Sequence, residues 1–405
     1  MKRKMIGILI AVCILSGCGD DKMHTASTEN VSVTDNRKEI NTMQNDEKEE
    51  ENTIANLEEI CSKFEHVINV EYVSNDKLLV VADQMYLIDI SSGEIIACTS
   101  ECDYVKEAIR IYSNEENIII VGKEWRDCGN QDVVFWDDED APKQCVLYYD
   151  YQLNLVDNVN IYETFELDPG YVDDVAVSKS GEIAVYDECR GLYLCDTETK
   201  KKKKVLGDSS SELIYDNKLQ FTISGGIEFA QNDKRIVFQA DCMNYPASEM
   251  ERGCCGIGSV TIDGKKYFVE KAGDEYSELE SFDKYAILSQ DCGFTSPTGE
   301  VIKYIFDTDS TETIELKAKE ESESLYCSQH GNIIATSEEN GDKGWNIRFY
   351  DAETGKVLRE ESCDKVSSKK YREPKIYVFE ELNVAILLFQ SEDGESKDKF
   401  VVMQI

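Results

Sequence analysis

The stretch NDKLLVVADQMYLIDISSGEII, residues 75–96, carries the pattern that decides the fold. A polar turn at residues 75–76 leads into one apolar run, and a second apolar run ends at Asp89 before the turn of residues 91–93. Each run has the length of a β-strand, and Asp suits the end of a strand because its carboxylate accepts backbone N–H bonds in a tight turn. The stretch therefore predicts successive antiparallel strands joined by short turns.

The same pattern recurs along the chain. A polar turn followed by a β-rich run occurs seven times, with the runs at residues 78–82, 118–121, 183–186, 236–239, 285–288, 333–336 and 384–389. In the first six units, another apolar run then ends in Asp, at Asp89, Asp150, Asp196, Asp263, Asp307 and Asp351. The spacing averages about 50 residues, which is typical of propeller blades.

Seven such units, of about four strands each, predict an all-β fold. We expect a seven-bladed β-propeller over residues 56–405. A ring of six or eight blades and a pair of β-sandwiches remain open as alternatives. The last unit supplies only about three strands, so residues 56–64 could add the missing outer strand and close the ring, although this stretch also fits a short helix.

One unit matches a known repeat. Its segments QNDKRIVF, residues 231–238, and SVTIDGKK, residues 259–266, place a polar turn before a β run and then a strand that closes on Asp-Gly. This unit resembles the TolB-type, WD40-like propeller repeat. The resemblance implies a propeller fold and implies no activity.

The amino terminus has the order of a bacterial export signal. Positive residues 2–4 precede an apolar run at residues 5–15, which is too short to span a bilayer. The sequence Leu15-Ser16-Gly17-Cys18 that follows resembles the lipobox of bacterial lipoproteins. The resemblance implies cleavage before Cys18 and a diacylglycerol on its sulfur, with residues 1–17 as signal peptide and the protein on the extracytoplasmic side of the cell membrane. An uncleaved anchor helix and a plain secretory signal are the alternatives.

Residues 18–55 form the next segment. After Cys18 it contains no Phe, Trp or Tyr, and residues 46–51 are all charged. Such a composition cannot bury enough apolar surface to offset the entropy of ordering the chain. We expect a disordered acidic tether with an end-to-end distance on the order of 30 Å.

Charge and cysteine content restrict the partners. The formal net charge is −38, from 81 acidic and 43 basic residues, which disfavours nucleic acid as a partner because its phosphates require Lys and Arg.

There are 15 cysteines, but no Cys-x-x-Cys pair and only three histidines, so we predict neither a metal site nor a cofactor. Cys128 with Cys145, and Cys242 with Cys254 or Cys255, are candidate disulfides near the ends of two long loops, with buried thiols as the alternative.

A blade has four strands, called a to d from the axis outward, that alternate in direction. The longest connections fall between strands b and c, near residues 124–143, 241–253, 290–299, 338–344 and 391–398, so they share one face. These loops carry aromatic and acidic residues typical of a binding surface for a protein, peptide or glycan: Trp125, Phe135, Trp136, Asp138, Tyr245, Phe294 and Trp345. In the alternative interpretation, several of them only pack the loops down.

These patterns predict a membrane-anchored, non-enzymatic binding or scaffold module. No Gly-x-Ser-x-Gly, Walker or His-Glu-x-x-His motif occurs, so no catalytic residue is named. The alternative is a carboxylate-dependent carbohydrate-active enzyme, a hydrolase or lyase, with its acids in the axial funnel.

Overall fold

The computed structural model describes residues 56–64, 67–73, 77–99, 108–123, 143–207, 213–215, 219–242, 255–273, 276–290, 300–316, 322–328, 330–341, 344–392 and 397–405. The predicted signal peptide, residues 1–17, and the tether, residues 18–55, lie outside these ranges and stay predictions. No helix among the described residues is long and apolar enough to cross a bilayer.

Seven antiparallel sheets follow one another along the described chain. Blade 1 contains β1 (Asn69–Val73), β2 (Lys77–Val81), β3 (Met85–Asp89) and β4 (Glu94–Cys98); blade 2 contains β5 (Ala108–Ser113), β6 (Ile118–Lys123), β7 (Gln144–Tyr149) and β8 (Leu155–Asn160); blade 3 contains β9 (Val172–Val177), β10 (Ile183–Asp187), β11 (Gly191–Asp196) and β12 (Lys201–Leu206). Blade 4 has five strands, β13 (Leu213–Tyr215), β14 (Leu219–Ala230), β15 (Arg235–Cys242), β16 (Cys255–Thr261) and β17 (Tyr267–Gly273). Blade 5 contains β18 (Tyr276–Ser281), β19 (Tyr285–Gln290), β20 (Glu300–Ile305) and β21 (Ser310–Glu315); blade 6 contains β22 (Ser322–Cys327), β23 (Ile333–Glu339), β24 (Trp345–Asp351) and β25 (Val357–Cys363); blade 7 contains β26 (Lys375–Phe379), β27 (Val384–Phe389) and β28 (Lys399–Gln404). Helix α1 includes residues 56–61, helix α2 spans Ile161–Phe165, and a 3₁₀ turn spans Glu380–Leu382.

The sheets form a seven-bladed β-propeller, as the sequence predicted, and not a ring of another size or a pair of sandwiches. Strands adjacent in the chain are adjacent in each sheet. The first strands of neighbouring blades contact one another, as β1 does with both β5 and β26, so they surround the axis. In blade 4 this inner position belongs to β14, which contacts β9 and β18, while the extra strand β13 pairs with the first residues of β14.

Face-to-face packing of the blades explains the continuous apolar runs. Every residue of β10 and of β27, the second strands of blades 3 and 7, is buried. A strand covered on both faces has no solvent side, so its sequence shows no alternation of polar and apolar residues. The outer strand β8, by contrast, exposes its first four residues.

The Asp residues that end the third strands build the c–d turns. The Asp89 carboxylate accepts bonds from the Ser91 hydroxyl at 2.7 Å and the Ser92 backbone N–H at 2.8 Å, and Asp351 accepts the Thr354 N–H at 2.8 Å. These hydrogen bonds lower the pKa of Asp89 and Asp351. The same effect holds at three further turns, Asp150, Asp196 and Asp263. The turn role inferred from the sequence is confirmed at these five positions.

Residues 56–61 form helix α1 and not the alternative outer strand. The buried residues Leu57, Ile60, Cys61 and Phe64 recur at the spacing of one helical face. They pack into a single apolar cluster with residues of blade 1, such as Leu78, and with residues of blade 7. The blade 7 residues are Phe379, Val384, Ile386, Leu388 and Val402. The helix thus covers the junction between the first and last blades.

Candidate functional site

The two faces of the propeller differ in the length of their connections. By the strand bounds, every a–b connection is three to five residues long, whereas the two longest connections, residues 124–143 and 243–254, join β6 to β7 and β15 to β16, which are b and c strands. The strand bounds therefore agree with the prediction that the b–c insertions of blades 2, 4, 5 and 7 share one face. The insertion predicted in blade 6 is only residues 340–344, because β23 continues to Glu339 and β24 begins at Trp345. We call this the b–c face.

The opposite, a–b face is tied together from blade to blade. The Asn114 side-chain amide donates to the Lys179 carbonyl at 3.2 Å, and the Lys179 backbone N–H donates to the Asp233 carboxylate at 3.2 Å. Further round, the Asn332 amide donates to Glu380 at 2.6 Å. These polar groups hold the turns of neighbouring blades, so this end of the propeller is a fixed base.

Most of the predicted binding residues lie outside the described residues. The strand bounds assign them to three b–c connections, residues 124–143, 243–254 and 291–299. They are Trp125, Phe135, Trp136, Asp138, Tyr245 and Phe294, and their role stays a prediction.

Trp345 lies in a strand and not in a loop. It is the first residue of β24, pairs with Glu339 on one side and Cys363 on the other, and is only 4% exposed. Its ring belongs to an apolar cluster with Tyr371 and Phe389. The structure therefore places Trp345 in the core, where it offers little surface to a ligand.

The candidate disulfides are described only in part. Cys145 is buried in β7, where it pairs with Gly122 across the sheet, while Cys128 lies outside the described residues. Cys242 ends β15, and Cys255 begins β16 opposite Asp241, so both mark the base of the β15–β16 connection. Cys254 is also outside the described residues, and the Cys128–Cys145 and Cys242–Cys254 pairings stay predictions.

The axis of the propeller carries a polar network that sequence reasoning missed. Arg110 on β5 lies 3.0 Å from the Asp174 carboxylate on β9 and donates to the Ile227 carbonyl on β14 at 2.6 Å. Asp174 also accepts the Ile227 backbone N–H at 2.8 Å, and Glu228 accepts the Ser281 N–H of β18 at 2.9 Å. These contacts join the inner strands of blades 2 to 5.

The other side of the axis holds a cavity of about 350 Å³. It is lined by inner-strand residues of blades 1, 2, 5, 6 and 7, among them Glu71, Tyr72, Glu280, Tyr326 and Tyr377. Its lining continues to residues at the carboxyl ends of these strands, where the a–b turns begin. The cavity therefore belongs to the half of the axis nearer the a–b face.

Glu71 is the unusual group in this cavity. Its carboxyl group makes no hydrogen bond or ion pair with any residue that the structure describes, and burial raises its pKa to about 8. Burial, together with the nearby Glu71 charge, also raises the pKa of Tyr377. Glu71 is thus a carboxyl group that is mainly neutral at pH 7, and no residue of the described chain stabilises its charge.

The sequence did contain a signal for these axial residues. In each of the inner strands Asn69–Val73 and Ala108–Ser113, the one charged residue, Glu71 or Arg110, stands between apolar or aromatic neighbours. Charge within a buried strand is costly unless it is paired or functional. The partner of each charge, however, comes from another blade and is not visible in one strand's sequence.

Comparison with known proteins assigns no family to this chain. No protein-family model matches the chain, and no curated protein matches it. Among solved structures, the chain is similar to the β-propeller domain of Cps50 (Swd1) from Myceliophteria thermophila, with 12% identity, coverage of 84% of this chain and 96% of that chain, and a TM-score of 0.49. It is also similar to the computationally designed Ika8 protein, with 13% identity, coverage of 83% and 96%, and a TM-score of 0.42. A third similar structure is TolB from Acinetobacter baumannii, with 15% identity, coverage of 82% and 78%, and a TM-score of 0.36. At these identities the similarities say nothing of ligand or activity.

Proposed function

We propose that this chain is a non-enzymatic binding or scaffold module, anchored by lipid on Cys18 at the extracytoplasmic side of the cell membrane. The ligand would be held by the b–c face. The observation that supports this proposal most is the difference in connection length between the two ends of the propeller, with short a–b turns at one end and the long b–c connections at the other. A rigid base with long loops at its other end is a common arrangement for recognition.

The composition of the long connections supports a binding role. Residues 124–143 contain two of the chain's three tryptophans, Trp125 and Trp136, beside a run of acidic residues at 137–140. Aromatic side chains bury large areas at a small entropy cost, and carboxylates attract basic groups. The ligand class that fits is a basic protein or peptide, or a glycan that stacks on aromatic rings.

Replacement of both loop tryptophans tests this proposal. We expect Trp125→Ala with Trp136→Ala to weaken ligand binding by about 30-fold or more, since an aromatic anchor contributes about 2 kcal/mol. The measurement probes the full mature protein on peptide and glycan arrays, followed by titration of each hit.

The matched control is Tyr267→Ala, which removes a ring that is 50% exposed on the outer strand β17. It should retain both binding and the thermal melting temperature. Equal binding by the loop variant and the wild-type protein, or no hit on either array, would contradict the proposal.

One observation favours the carbohydrate-active enzyme as the second candidate. A glycosidase needs a carboxyl group that remains protonated near neutral pH, and burial gives Glu71 a pKa of about 8. Release of reducing ends from envelope or dietary glycans, lost in Glu71→Gln, would establish this candidate and overturn a non-enzymatic function.

A further inference from the structure

We propose that the axial cavity binds a small organic cation, a primary or quaternary ammonium group, with Glu71 as its counter-ion. This site lies on the axis, toward the a–b face, and is independent of the proposed b–c ligand. Its occupation does not require the loop tryptophans.

The chemistry of the lining favours a cation. Two glutamates, Glu71 and Glu280, and three tyrosines, Tyr72, Tyr326 and Tyr377, line the cavity, and no Lys, Arg or His is among its described lining residues. A cation gains from the charge of a carboxylate and from the negative face of an aromatic ring, and cages of such rings suit ammonium groups. An anion would meet only like charges there. The volume of about 350 Å³ lies within the range of small-molecule sites.

Glu71 differs from the axial carboxylates Asp174 and Glu228 because no described residue pairs with its carboxyl group. Asp174 is paired with Arg110 at 3.0 Å, and Glu228 accepts the Ser281 N–H at 2.9 Å. Glu71 has neither kind of contact within the described chain, although a carboxyl group so placed destabilises the fold when it ionises. A bound cation would supply the positive charge that Glu71 lacks, in a cavity that Glu71 already lines.

The groups that face Glu71 determine how binding depends on pH. They are Tyr326 on β22, Tyr377 on β26 and Glu280 on β18. Tyr72, the next residue on β1, points to the other side of the strand and packs against Phe379. The pKa of Tyr377 is raised, so this tyrosine stays neutral. With its pKa near 8, Glu71 is about half ionised at pH 8 and about 1% ionised at pH 6. Because the cation binds the ionised form, its apparent Kd should rise by about 50-fold between pH 8 and pH 6.

Isothermal titration of the full mature protein with choline and with n-butylamine tests the site. The matched control ligand is 3,3-dimethylbutan-1-ol, the neutral carbon isostere of choline. The variants are Glu71→Gln and, as control, Glu94→Gln, an exposed glutamate on the outer strand of the same blade. At pH 8 we expect at least one amine to bind, the alcohol not to bind, and Glu71→Gln to weaken binding by about tenfold or more while Glu94→Gln leaves it unchanged.

Proton release gives a readout that a merely structural role for Glu71 would not change. At pH 7, titrations in phosphate and in HEPES, neither of which is a primary or quaternary ammonium ion, should differ in heat, since amine binding displaces the Glu71 proton into the buffer. The difference should vanish in Glu71→Gln. Equal affinity for choline and its neutral isostere, unchanged affinity in Glu71→Gln, or no binding of either amine would overturn the proposal.

Discussion

Replacing Glu71 by Gln is expected to stabilise the protein at pH 8 by about 4 kcal/mol and to change its stability little at pH 4. The folded-state pKa of about 8 lies well above the usual value for Glu, because burial penalises the charged form. The folded chain therefore binds this proton more tightly than the unfolded chain. Stability from this group is fully present below the unfolded pKa near 4 and is lost as pH rises toward 8. Gln keeps the shape of the neutral acid and has no charge to bury.

Urea unfolding at pH 4 and pH 8 measures this difference directly. Wild type, Glu71→Gln and the exposed control Glu94→Gln are compared under identical ionic strength, and the control should follow the wild type at both values. If the Glu71→Gln variant is no more stable than the wild type at pH 8, the folded protein stabilises the Glu71 charge through a contact other than those described, and the prediction is wrong.

Closure of the propeller gives the second large effect. Leu57 and Ile60 on helix α1 are 0% and 1% exposed and pack against blades 1 and 7 together. Truncating each to Ala removes buried methyl and methylene groups and leaves a cavity, at a loss of about 3 kcal/mol per residue. We expect the double variant to lose about 6 kcal/mol of unfolding free energy, since blade 7 contributes three strands and the helix covers its junction with blade 1.

The control for this variant changes the other side of the same helix. Glu58 and Glu59 are exposed, and the ion pair of Glu59 with Lys63 at 3.8 Å is open to solvent, so Glu58→Ala with Glu59→Ala should change little. Denaturant unfolding followed by tryptophan fluorescence and circular dichroism reports both variants. If the Leu57 and Ile60 double variant unfolds like the wild type, the first and last blades hold together without the helix.

Sequence reasoning recovered the propeller because its signals are local. A buried second strand such as Val384–Phe389 is apolar throughout, and an Asp such as Asp89 closes its own turn through contacts within three residues. Both features depend only on neighbouring residues, so they recur in one sequence without any knowledge of the tertiary fold. The number of blades followed from counting them.

Features that depend on contacts between distant parts of the chain were harder to predict from the sequence. The face of helix α1 could have been recognised from the spacing of Leu57, Ile60 and Phe64, but its burial depends on blade 7, far along the chain. Trp345 was placed on the loop face because it adjoins the predicted connection 338–344, whereas it pairs with Cys363 in the sheet and is buried in the core. The cavity beside Glu71 is built from five blades, so no segment reveals it.

We propose a binding propeller that is anchored by lipid at the extracytoplasmic side of the cell membrane, and mass spectrometry of the membrane fraction tests this anchor most directly. We predict that the mature polypeptide begins at Cys18 and that this residue carries a diacylglycerol with its acyl chains. A polypeptide that retains residues 1–17, or that is recovered with Cys18 unmodified, would contradict the account.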